Sequence, residues 1–116
     1  MDKDILLAIL DEVKDRLRIK EGIKLELKSM KVKAASISIK RGIIRLNKDL
    51  IKELDTDAIR YLIIHELIHY KLKRIYHSKE FYEYIDKEIN EDNREELEKK
   101  IIEQLLQKKS ARKPMV

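Results

Sequence analysis

Residues 61–81 read YLIIHELIHYKLKRIYHSKEF and contain every histidine of the chain: His65, His69 and His77. The first two enclose a glutamate as His65-Glu66-x-x-His69. On a helix, residues four apart project from one face, so both imidazoles can reach a single ion at about 2.0–2.1 Å without any loop closing. Glu66 is turned by about 100° from His65. That keeps its carboxylate off the ion yet near a water beside it, where a general base belongs. The competing interpretation is a helix that merely packs, with Glu66 in an ordinary salt bridge. Ile63, Ile64, Leu67 and Ile68 already supply the apolar contacts a core needs, however, and packing gives no reason for this spacing.

His77 poses a geometric problem. In an unbroken helix it would sit about 12 Å along the axis from His69, too far to share an ion. The helix must therefore end soon after Arg74 and the chain fold back, although no glycine or proline between Tyr70 and Tyr76 enforces it. Lys71, Lys73 and Arg74 suit a helix C-terminus, and Ser78 suits the cap of a new helix. His77 is thus expected as the third ligand. Its competitors are later glutamates: Glu80, Glu83, Glu88, Glu95, Glu96, Glu98 and Glu103 all qualify by type. Three protein ligands leave a fourth position for water, as a catalytic zinc site requires.

The residue types match one chemistry. Neutral imidazoles leave a Zn²⁺ ion most of its charge, which lowers the pKa of a bound water to about 7. Glu66 would take that water's proton during attack on a peptide carbonyl and pass it to the leaving amine. Imidazole also accepts other divalent ions, so the pattern favours zinc without requiring it.

Outward from this helix the sequence predicts an α+β fold. Ile5, Leu6, Ile9, Leu10, Val13 and Leu17 recur at helical spacing, giving an N-terminal helix over about residues 3–19 that stops near Glu21-Gly22. Leu25 and Leu27, Ile37 and Ile39, and Ile44 and Leu46 each alternate with polar neighbours. With a turn at Arg41-Gly42, these runs predict a small three-stranded antiparallel sheet packed against the active-site helix. Asp55 or Thr56 caps that helix. Ser78 opens a helix through Phe81, Tyr84, Ile85 and Ile89. Asn93 and Glu96 resemble a capping box that starts a last helix over 93–109. Residues 110–116 form a basic tail expected to be disordered.

The whole chain narrows the function. At 116 residues and 13.9 kDa it is expected to be a single domain, 1–116. Without cysteine, neither a disulfide nor a thiolate site can form, which fits a reducing cytoplasm. The acidic N-terminus does not read as a signal peptide, and no apolar run approaches the roughly 20 residues that cross a bilayer, so a soluble cytoplasmic protein is expected. Net charge is +5, but acids interrupt the bases everywhere except Lys31–Arg45 and Lys108–Lys113. That pattern argues against a nucleic-acid partner.

The run GIIRLNKDLIKELDTDAIRYLIIHELIHYKLKRIYHSKEF, residues 42–81, resembles the catalytic core of the minigluzincins, very small zinc metallopeptidases of the gluzincin group. SprT-like proteases share the outline. The resemblance implies His65, His69 and His77 as zinc ligands and Glu66 as base and acid. It implies a peptide or unfolded protein substrate bound in extended form along a rim strand, for which Gly42–Asn47 is the expected segment. It also implies latent forms in which a C-terminal segment blocks the cleft, within one chain or by helix exchange in a homodimer; here that segment is the 93–109 helix. Such sites commonly stabilise the oxyanion with a tyrosine or histidine, and Tyr76, Tyr82 and Tyr84 lie nearest in sequence. The alternative function is a non-catalytic metal-binding protein that self-associates through its C-terminal helix.

Overall fold

The computed structural model describes residues 2–111, with side chains to Gln107. Its elements are α1 (Lys3–Arg16), β1 (Lys24–Lys28), β2 (Ala35–Ser38), β3 (Ile43–Asn47), the short α2 (Lys48–Ile51), α3 (Thr56–Leu72), α4 (Lys79–Glu88) and α5 (Glu91–Ala111). Asp55 caps α3 by accepting the Ala58 amide at 2.9 Å. Along α3, Ala58, Ile59, Tyr61, Leu62, Ile63, Ile64, Leu67, Ile68 and Tyr70 are all buried. A helix this apolar on every side must be covered all round. The N-terminal helix, the sheet and the two C-terminal helices all pack against it.

The sheet departs from the strictly antiparallel one expected. Its order is β1-β3-β2, with β2 antiparallel to β3 but β1 parallel to it. The hairpin at Arg41-Gly42 forms as expected, with Gly42 at φ +64. The loop before it carries β2 past the adjacent slot, and the hairpin then returns β3 into that slot, running the same way as β1. Asn47 holds this loop: its side-chain amide donates to the carbonyls of Met30 and Lys33 at 3.1 and 2.9 Å. The Asn47 carbonyl oxygen meanwhile caps α2, accepting the amides of Asp49 and Leu50. Ile44 and Leu46 are fully buried as their alternation requires, whereas Leu27 is 38% exposed on an edge strand.

The first and last helices also differ from expectation at their boundaries. α1 ends at Arg16 with Leu17 as its cap, and Arg18, not Gly22, takes the left-handed backbone at φ 56. α5 begins at Glu91 and runs to Ala111, past the expected end at residue 109, with the Asn90 side chain accepting the Asn93 amide at 2.9 Å. Of the expected disordered tail, residues 112–116 lie outside the described residues. α5 docks through Ile101, which is buried, through Leu97 and Leu105 at the core margin, and through the Arg94–Asp86 and Lys100–Asp55 ion pairs.

Candidate metal centre

The question posed by His77 is answered at the end of α3. Lys73 adopts φ 56, its amide donates to Tyr70 O, and the Arg74 amide donates back to His69 O. These two bonds and the left-handed residue make a Schellman ending without glycine. The chain reverses there, and Ser78 then starts α4 by accepting the Phe81 amide. His77, on the loop between the helices, is thereby returned to the motif.

The three imidazoles converge. His65 Nε2 lies 3.2 Å from His69 Nε2 and 3.2 Å from His77 Nε2. One ring nitrogen from each of the three lies within 4.8 Å of the others. A tetrahedral ion with bonds of about 2.0–2.1 Å holds its ligand nitrogens about 3.3–3.4 Å apart, so this spacing fits a zinc-sized cation. Tautomers fit as well. His69 Nδ1 lies 2.9 Å from the Arg74 carbonyl, which can only accept, so Nδ1 carries the hydrogen and Nε2 keeps a free electron pair. Burial drives His65 down to about 3, and it also lowers His69, so both imidazoles are neutral near pH 7.

Glu66 is 8% exposed, and its Oε2 is buried with no hydrogen-bond partner among the described residues. Burial raises its carboxyl to about 7, opposed by the charge of Lys33. Such an orphaned acid is costly unless something outside the chain completes it. Glu66, the three histidines, Lys33–Ile37, Tyr61, Tyr82, Glu98, Ile101 and Ile102 line one cleft of about 560 Å³.

Several participants were not singled out from the sequence. Phe81, expected only as a packing residue, stacks on His69 and His77 with centroids 4.7 and 4.5 Å away and meets His65 edge-on. At only 1% exposure it is the fixed wall behind the imidazoles. Tyr61 and Glu98 join the cleft through a mutual hydrogen bond. Tyr61 is held above its ordinary pKa first by burial and then by Glu98, so it remains a hydroxyl. Of Tyr76, Tyr82 and Tyr84, only Tyr82 lines the cleft. Among the competing glutamates only Glu98 reaches it, and Tyr61 engages it there. The expected rim strand, Gly42–Asn47, is the central strand and is paired on both sides. The cleft is bordered instead by β2, one of the two edge strands.

A small α+β domain with convergent imidazoles beside a buried carboxylate has the outline of a metal-dependent hydrolase. The chain belongs to the YgjP-like metallopeptidase domain family, whose model matches residues 2–100. An uncharacterized protein of Methanocaldococcus jannaschii is 39% identical over 98 residues, covering 84% of this chain and 89% of that one. One from Aquifex aeolicus is 44% identical over 73 residues, covering 63% of this chain and 66% of its own length. Among solved structures, the metallopeptidase zymogen of M. jannaschii jannalysin superposes with a TM-score of 0.80 at 38% identity, over 86% of this chain and 96% of that one. The metallopeptidase zymogen of Pyrococcus abyssi abylysin gives 0.81 at 29%, over 87% and 95%. The chain is therefore a metallopeptidase of the minigluzincin type, acting on peptides with a metal ion. Among the described residues no helix is long and apolar enough to cross a membrane.

Proposed function

We propose that this chain is a zinc-dependent endopeptidase in which His65, His69 and His77 hold the ion, Glu66 is the general base and acid, and α5 keeps the site latent. The observation that carries this is the meeting of three imidazole nitrogens, two of the pairs at 3.2 Å, beside an unpartnered buried carboxylate oxygen. A bound zinc ion would polarise the scissile carbonyl and acidify a water. Glu66 takes that water's proton and delivers it to the departing amine. Phe81 keeps the imidazole planes from turning.

Substrate would lie along β2. That strand is paired with β3 on one edge only, and its residues border the cleft. An extended peptide added there binds through main-chain hydrogen bonds, with little sequence preference. Glu98, Ile101 and Ile102 of α5 line the same cleft, which supports latency within one chain. Exchange of α5 between two chains would bury the same surface, and the molecular mass in solution separates the two arrangements.

Metal analysis and casein cleavage test the proposal together. With α5 released, Glu66→Ala should keep its zinc and lose cleavage by about 10²–10⁴-fold. His69→Ala should lose both. A Glu66→Ala variant that still cleaves casein at the unaltered rate would remove the catalytic assignment. A non-catalytic metal-binding protein predicts that the unaltered chain binds zinc and cleaves nothing, even when α5 is released.

A further inference from the structure

We propose that Tyr61 and Glu98 are positioning residues for His65, so that the docked C-terminal helix helps to hold the metal ion as well as covering the cleft. This rests on the reading of the three histidines as ligands. Tyr61 precedes His65 by one turn of α3, and its hydroxyl lies 3.4 Å from His65 Nδ1 and 2.5 Å from Glu98 Oε1 on α5. A tyrosine hydroxyl has one hydrogen, and a carboxylate can only accept. Glu98 therefore takes that hydrogen, which turns the hydroxyl oxygen's lone pairs toward Nδ1. Nδ1 then carries the imidazole's hydrogen, leaving a free pair on Nε2, the nitrogen that faces His69 and His77. Without Glu98 the tyrosine could donate to Nδ1 as readily as accept from it. That would favour the tautomer with hydrogen on Nε2, which cannot bind a cation. His69 needs no such device, because the Arg74 carbonyl beyond the helix end fixes its tautomer. His65 sits mid-helix, where its acceptor must come from a side chain.

The test is zinc affinity of the full chain, measured by competition with a chromophoric chelator, with metal-free thermal melting to confirm folding. Tyr61→Phe and Glu98→Leu should each weaken zinc by about 10- to 100-fold, the usual cost of losing a partner behind a ligand. Glu98→Gln, whose amide oxygen still accepts from Tyr61, should stay within about threefold. The double variant should be no weaker than Tyr61→Phe alone, because the two residues act in series. Tyr61→Phe binding zinc as tightly as the unaltered chain would overturn the proposal, as would Glu98→Gln falling as far as Glu98→Leu. If Glu98→Leu does not fold, Tyr61→Phe and Glu98→Gln decide. His69→Ala is the reference. An unaltered chain that binds zinc no better than this variant removes the metal centre and the proposal together. Tight unaltered binding, weak His69→Ala and tight Tyr61→Phe remove the proposal alone.

Discussion

At the scale of single residues, burial gives Glu66 and His65 opposite titration behaviour, and the metal-free protein should register both. Glu66 is raised from 4.5 to about 7, so its native state holds a proton more firmly than the unfolded chain does. It carries no penalty below about pH 4.5, and a penalty accumulates as pH rises toward 7. His65 is lowered from 6.5 to about 3, so its penalty accumulates as pH falls through that interval. Glu66→Gln removes the first effect only. Denaturant titration of the metal-free variant should match the unaltered protein near pH 4.5 and exceed it above pH 7 by about 3 kcal/mol, at roughly 1.4 kcal/mol per pKa unit. Equal stability at pH 8 would mean that the carboxylate is not buried as described. Phe81 works at the same scale: Phe81→Ala should cost about 3–5 kcal/mol by emptying a core position and should also loosen the imidazoles. The readouts are the unfolding midpoint and zinc affinity.

At the scale of elements, the site depends on how α3 ends. Lys73 occupies a left-handed position that glycine would take without strain. Lys73→Gly should therefore stabilise the fold by about 1 kcal/mol, less whatever is lost when the Lys73 ammonium leaves the Tyr70 ring, 3.3 Å below it. Lys73→Val should do the reverse, since a branched side chain resists positive φ. Because the same turn presents the Arg74 carbonyl to His69, the valine variant should also bind zinc more weakly, which chelator competition would detect. The helices were legible from spacing and caps: Asp55 and Ser78 start α3 and α4 where the sequence puts them. The strands were legible as segments but not as a sheet. Alternation says which side chains of a strand face inward and is the same for parallel and antiparallel neighbours. The order β1-β3-β2 goes with Asn47 hydrogen bonds to Met30 and Lys33 in the loop before β2, contacts between side chain and distant backbone that leave no periodic trace.

At the scale of the whole molecule, α5 has two opposed effects. It contributes buried Ile101 to the core and carries Glu98, Ile101 and Ile102 into the cleft. A chain ending at Asp92 should lose about 2–3 kcal/mol with the burial of Ile101. If circular dichroism shows it still folded, it should cleave casein faster than the full chain at saturating zinc, since the cleft is uncovered. At limiting zinc it should hold less metal than the full chain, because Tyr61 has lost its acceptor. No gain in cleavage at saturating zinc from a folded truncated chain would count against latency.

The sequence by itself determined the helix over α3, the pairing of His65 and His69 on its face and the adjacency of Glu66, because these depend on a helical repeat within one segment. It also implied that His77 must fold back to share an ion, by the length a continued helix would span. Only the tertiary structure decided how that reversal is made at Lys73, that β2 is the edge bordering the cleft, that Phe81 backs the imidazoles, and that Glu98 reaches Tyr61 from 37 positions away. The turn at Lys73 is local but has no glycine to announce it; the other outcomes rest on contacts between segments distant in the chain, and local residue patterns do not encode which distant surfaces will meet.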